Sequence, residues 1–281
     1  MVIDREPLQA GRIIGETFGI LFRRFGYLFG FAVIPALVLG YIEFQRIVPP
    51  DLSGPISIAG GPTDSGWSNE TALMIESMIV GSLLIGLIAA AMAHLVYRLK
   101  TGQSIALREL LTTTARSFPR TYIVLLLLLI GITVTASIST FAGLYLSSVW
   151  GITPWLLLLL FYPVILGAWA PFGVVIPISS IERLWTGAFA RSLHLTKGYR
   201  WRCLGIFVVV IVAACLILAA IEFPLLFTRP DFHSSVGYTI LSVATYVLLP
   251  ACLTIAATLL YVRLREIKEG GIAEQVEKVF A

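Results

Sequence analysis

Charge is what this sequence has least of. Asp, Glu, Lys and Arg make up 13% of its 281 residues, about half of the roughly 25% usual in a soluble domain. Apolar residues make up 58%, and the mean hydropathy is +0.91. So little polar surface cannot coat a globule in water, which excludes a soluble protein and a disordered one. Histidine and cysteine are scarce as well. Cys203, Cys215 and Cys252 lie in apolar runs without CxxC spacing, so they are expected to act as small packing residues. His94, His194 and His233 are the three histidines. The first two belong by topology to one membrane side and the third to the other, and two ligands are fewer than a catalytic zinc site needs. Asp occurs only at Asp4, Asp51, Asp64 and Asp231, outside every apolar run, which argues against a paired-aspartate intramembrane protease. HExxH, Walker A and GxSxG motifs are missing. The expectation is a non-enzyme without metal or cofactor, a lipid-modifying membrane enzyme being the distant alternative. The first residues contain no apolar core or small-residue cleavage site, so no removable signal peptide is expected.

Long apolar runs take the place of charge. A helix needs roughly 20 such residues to cross about 30 Å of hydrocarbon. Six stretches qualify: 27–44, 73–97, 121–146, 154–178, 203–227 and 237–262. They are continuous and not alternating, which points to helices and not to a barrel. All but two of the 20 Lys and Arg residues, Arg46 and Arg229, fall in the termini and in alternate connections. That asymmetry puts both termini in the cytoplasm and agrees with an even number of spans. The basic residues hug the span ends and form no separate stripe with interleaved aromatics, so nucleic acid is not an expected partner. Anionic lipid head groups are.

Ahead of the first, third and fifth spans lie stretches too polar to cross, 11–25, 104–118 and 184–198. Each reads as an amphipathic helix lying in the interface or under the bundle. In the first, Ile14, Phe18, Leu21, Phe22 and Phe25 oppose Arg12, Glu16 and Arg23. In the second, Leu107, Leu111, Ala115 and Phe118 oppose Arg108, Thr112 and Arg116. In the third, Trp185, Ala188, Phe189 and Leu195 oppose Arg191 and His194. The expected fold is therefore all-α: one polytopic membrane domain, 1–281, of six transmembrane helices and three cytoplasmic amphipathic helices. The expected repeats are 11–97, 104–178 and 184–266, parallel and related by a pseudo-threefold axis, with a short cytoplasmic tail at 267–281.

One patch carries a family likeness: Glu182, Ala188, Arg191-Ser192, Leu195-Thr196-Lys197-Gly198, Trp201 and Gly205. With TLLYVRLR at 258–265 and GETF at 15–18, it resembles the membrane domain found beside glycerophosphoryl diester phosphodiesterases and its stand-alone bacterial relatives of uncharacterised function. The soluble catalytic barrel of those phosphodiesterases is absent here. The resemblance implies a polytopic bacterial plasma-membrane protein and does not imply phosphodiesterase activity.

Ionisable residues inside spans are costly and count as functional candidates. Glu43, Glu76 and Glu222 lie toward the outer ends of their spans and form a candidate polar vestibule for a cation or polar head group. The alternative is pairing with Arg46 or Arg229, or solvation at the interface. Arg191, His194, Lys197, Arg200 and Arg202 surround Trp185 and Trp201 as candidate cytoplasmic head-group contacts, the alternative being a topology signal with aromatic anchoring. Gly11, Gly15 and Gly19 make a GxxxGxxxG run, suited either to packing within the chain or to a homo-oligomer. Pro163, Pro171 and Pro177 make the fourth span the one expected to break. The function expected is that of a scaffold, assembly or accessory membrane protein, with a membrane-protein partner or a second copy. The alternative is a transporter or lipid-handling protein acting at the three glutamates.

Overall fold

A computed structural model describes residues 9–24, 26–27, 30, 37–38, 40–41, 69–103, 106–150, 165–228 and 236–270. Regular structure among them is entirely helical, with no strand. The helices are α1 (Ala10–Arg23), α2 (Asn69–Lys100), α3 (Leu107–Trp150), α4 (Val175–Ile181), α5 (Gly187–Thr196), α6 (Arg200–Thr228) and α7 (Val236–Glu269); a 3-10 turn, Ala170–Phe172, precedes α4. Among the described residues four helices are long and apolar enough to cross a membrane, within α2, α3, α6 and α7. They coincide with the second, third, fifth and sixth expected spans. Most of the first expected span and residues 154–164 of the fourth lie outside the described residues.

The described part of the expected fourth span is interrupted at Pro171, while Pro177 lies inside α4. The apolar segment Ile165–Ile181 is interrupted by the 3-10 turn, which has Pro171 in its first turn. Proline supplies no N–H for the α-helical ladder. The carbonyl of Pro171 accepts a hydrogen bond from Ser192 Oγ, and Thr196 Oγ1, 3.4 Å from that carbonyl, gives its proton to the nearer Ser192 carbonyl at 2.8 Å. Gly173, just after the turn, lies so close to the Phe207 ring that no Cβ fits between them.

Helices α2 and α7 form the centre. In each, 61% of the most apolar window is buried, against 11% in α3 and 28% in α6, so α3 and α6 turn most of their surface outward. Lipid chains are as apolar as leucine, and close packing therefore has to hold the helices together. Small side chains permit it: Ala89, Ala90, Ala91 and Ala93 of α2 and Ala251, Ala256 and Ala257 of α7 are all buried. Around them Ile88, Met92, Leu95, Ile178, Ile206 and Ile255 complete the core. Buried hydroxyls return their protons to the preceding turn, Thr17 to the carbonyl of Ile13, Thr121 to Ser117 and Thr258 to Thr254.

The amphipathic segments behave differently from one another. Helix α1 matches the first and packs against α6 and α7, under the bundle. Its buried face is Ile13, Thr17 and Leu21, while Phe22 is exposed. Helix α5 matches the third, with Ala188 and Leu195 buried as expected but Trp185 half exposed. The second is not a separate helix. Its residues run without a break into the third span, giving α3 its 44 residues with Pro119 inside. The reason lies in the junctions. The third segment ends at Gly198, which adopts φ +91, a conformation that glycine enters freely and that stops a helix. The second has Phe118-Pro119-Arg120 and no glycine. Its inward face also differs from the expectation: Leu110, Thr114, Ser117 and Thr121 are buried, and Leu107 and Leu111 are exposed. Leu110, Thr114, Ser117 and Thr121 recur at helical spacing on the face that packs against α2; Ser117 and Thr121 find hydrogen-bond partners there, and the Thr114 hydroxyl has none among the described residues.

The basic ends of α2, α3, α6 and α7 gather with α1 and α5 at one end of the bundle. Lys100 at the end of α2 reaches Glu16 of α1, and Lys268 of α7 donates to the carbonyl of His194 in α5 at 2.7 Å. Ion pairs among the described residues gather at this basic end.

Candidate functional site

The sequence candidates separate on the structure. Glu76 is exposed on α2. Glu43, and the side chain of Glu222 on α6, lie outside the described residues. His194, Lys197, Arg200 and Arg202 are exposed along α5, the turn after it and the start of α6. Trp201 is 77% exposed there, at the place an interfacial aromatic takes, and its ring edge passes over Gly167. Arg191 does not join this exposed group. It turns inward and is held by two carboxylates.

Those carboxylates are Glu182, the residue that caps α4, and Glu269, the last residue of α7. Arg191 Nε donates to Glu182 Oε2 at 3.2 Å, and its Nη2 pairs with Glu269. Glu182 also accepts from Tyr261 Oη at 2.8 Å, and Tyr261 is fully buried. Arg265 donates to Glu269 Oε2 at 3.1 Å and to Tyr261 Oη at 3.4 Å. Five side chains thus close one lattice joining α4, α5 and α7. Burial works against the Arg191 charge, but the hydrogen bonds and charges of Glu182 and Glu269 outweigh it and raise its pKa. A planar guanidinium serves two acids at once from separate nitrogens held in a fixed fork, a geometry that a lysine ammonium does not reproduce.

A second node lies deeper. His94 Nε2 on α2 is 2.9 Å from Ser117 Oγ of α3 and 3.1 Å from Ser180 Oγ of α4. Ser117 Oγ also lies 3.1 Å from the Thr114 carbonyl. A hydroxyl has one proton. If Ser117 gives its proton to that carbonyl, the imidazole must carry a proton on Nε2 and donate it. Both serines are buried, so the node ties three helices together and does not present a nucleophile at a surface. Next to it, Arg183 adopts φ 59, an uncommon backbone state for a residue with a Cβ. Arg120 holds that bend by donating to the Arg183 carbonyl at 3.1 Å.

The third arrangement is at α1. Glu16 accepts from Lys100 Nζ at 2.6 Å and from Arg12 Nε at 3.1 Å. Burial alone would raise its pKa; the two cations reverse this and lower it. On one side of this pair lies a cavity of about 140 Å3 reaching Gln9, Arg263 and Glu266. On the other lies an open groove of about 500 Å3 between α1 and the end of α2. Gly11, Gly15 and Gly19 are exposed, and a Cβ added to any of them would meet nothing within 4 Å. The glycine run therefore does not serve helix packing among the described residues.

Sequence reasoning missed most of these groups. Tyr261 and Arg265 fall in the 258–265 patch that carries the family likeness, as Glu182 and Arg191 fall in the 182–205 patch, but the likeness does not say that they meet; Glu269 lies beyond the last expected span. Ser117 and Ser180 look like any helical serine. His94 carried a signal, as an ionisable residue inside an apolar run, but it was weighed only as a metal ligand. Among the described residues no three His, Cys, Asp or Glu side chains are gathered as a metal ion would need. Compared with family models, curated proteins and solved structures, the chain matches none.

Proposed function

We propose that the chain is a multi-pass protein of the bacterial plasma (inner) membrane, with six spans and both termini in the cytoplasm, and that it acts without catalysis as a scaffold, assembly or accessory protein. The observation that carries this reading is how the polar side chains are used. Glu182, Arg191, Tyr261, Arg265 and Glu269 bond to one another, and His94 bonds to Ser117 and Ser180. Groups spent on joining helices are not offered to a substrate. The basic end, bearing α1 and α5, is then the cytoplasmic side, as the positive-inside pattern requires. The likeness of residues 182–205 to the membrane domain beside glycerophosphoryl diester phosphodiesterases supports the compartment and adds no activity. Three parallel repeats remain part of the proposal, with α3 as the copy in which amphipathic helix and span have fused.

Native mass spectrometry of the protein extracted in a mild detergent tests the reading. A protein partner retained in fixed stoichiometry is the expected result. A small molecule retained in its place, and lost when Glu43, Glu76 and Glu222 are changed to Gln, would replace the scaffold with a transporter or lipid-handling protein. The break within Ile165–Ile181 favours that second reading, since interrupted helices line binding sites in transporters.

A further inference from the structure

We propose that the groove between α1 and the end of α2 binds the phosphodiester head group of an anionic phospholipid. The inference rests on the reading of the basic end as the cytoplasmic side of a membrane protein.

The groove owes its existence to two glycines. Gly15 and Gly19 lie one turn apart on α1, and with no side chains there the helix surface is left as a channel. Ile20 and Leu99 give it an apolar lining; Arg23, Arg24 and Lys100 stand at its edge. Lys100 marks where α2 leaves the apolar part of its span, so the channel opens at head-group level. Arg23 is exposed in the last turn of α1, and the Arg24 guanidinium stands 5.9 Å from the centre of the Tyr27 ring.

Charge selects the ligand. Glu16 is the acid that lines the channel, and it is already bonded to Lys100 and Arg12. Lys100 keeps further N–H donors after that bond. A phosphate at the edge would meet three cations, while the ammonium of a zwitterionic lipid would find the one carboxylate taken. The apolar lining selects a lipid over a soluble phosphate. A small anion is usually gripped by free backbone N–H groups at a helix start, and Gly15 and Gly19 lie within α1, where those groups are tied into the helical ladder. An acyl chain needs only the apolar channel.

The test is native mass spectrometry of the full chain in detergent, titrated separately with phosphatidylglycerol and phosphatidylethanolamine. The unaltered protein should bind phosphatidylglycerol at least about tenfold more tightly, since each basic residue near a membrane surface contributes on that scale. The pair Gly15→Leu and Gly19→Leu puts side chains into the channel from Cβ positions that meet nothing within 4 Å and favours the helix. It should cut the preference below about threefold with no loss of thermal stability. Arg23→Gln with Arg24→Gln should do the same, and Arg200→Gln with Arg202→Gln should leave the preference intact. The proposal is overturned if the unaltered protein shows no preference, or if only the Arg200 and Arg202 changes abolish it. It is also overturned if the leucine pair dissociates a dimer and leaves lipid binding unchanged, which would make the channel a contact between copies. In each of these outcomes a retained protein partner would still support the scaffold reading.

Discussion

Replacing Arg191 with alanine removes the centre of the lattice that joins α4, α5 and α7. Two carboxylates lose a partner at once. Glu182 keeps its bond from Tyr261, and Glu269 keeps Arg265. Breaking a fully buried pair costs about 3–5 kcal/mol, and breaking an exposed one about 0–1 kcal/mol. Here the acids are 18% and 21% exposed and Arg191 is 29% exposed, and each acid retains one donor. The cost should fall between the limits, at about 2 kcal/mol. Reversible unfolding in mixed micelles of a mild detergent and dodecyl sulfate measures it. Lysine at the same position should recover only part of it, because its ammonium lacks the planar fork with which Arg191 reaches Glu182 and Glu269 from different nitrogens. A double-mutant cycle with Glu182→Gln should give a coupling of about 1 kcal/mol. If the alanine variant is as stable as the unaltered protein, or if the two changes simply add, the lattice is surface decoration and the argument fails.

Three further outcomes follow from the same geometry. Tyr261→Phe removes a donor to the Glu182 carboxylate inside the bundle and should destabilise by about 1.5–3 kcal/mol, read by the same unfolding assay. Gly173→Ala forces a Cβ into the Phe207 ring and should cost about 1–3 kcal/mol; Phe207→Leu in the same chain should restore part of it. Glu16 has a folded pKa below its usual 4.5, so its contribution to holding α1 on α2 is fully present above about pH 4.5 and is lost as the pH falls through the lowered value. Hydrogen exchange across α1 should therefore speed up below pH 4.5 more than in the core of α7, and Glu16→Gln should remove that difference.

The helices were legible wherever hydropathy alone decides them. The second, third, fifth and sixth apolar runs became α2, α3, α6 and α7, each longer than its run because a helix continues past the point where charge begins. The break at Pro171 was suggested by the prolines of that run, although Pro119 and Pro250 sit inside unbroken helices. The inward face of α3 was not legible, because one continuous helix sets it: Leu110, Thr114, Ser117 and Thr121 recur at helical spacing against α2, and the more apolar neighbours fall off that face. There Leu107 and Leu111 face outward and Thr114 and Ser117 face inward. The lattice was illegible for another reason. Its members are separated by up to 87 positions, from Glu182 to Glu269, and no local pattern records that the end of α7 comes to rest beside the end of α4. Arg191 was singled out for its charge and placed among exposed neighbours, whereas its function in the fold comes from the acids it meets.

The unbroken course of α3 has a mechanical consequence. At about 1.5 Å per residue its 44 residues extend about 66 Å, more than twice the thickness of hydrocarbon that a helix must cross. Helix α5 joins its span through a glycine and can pivot there; α3 has no such pivot. Its first 14 or so residues, about 20 Å of helix, continue the membrane-crossing part without a turn, and they are fastened to α2 by the buried Leu110, the Ser117–His94 hydrogen bond and the Arg98–Glu109 ion pair. A change of tilt of the kind helices adopt as bilayers thin or thicken would therefore move the start of α3 and the end of α2 together. Of the two amphipathic segments, the one joined through Gly198 can stay in place while the bilayer changes, and the fused one must follow its span.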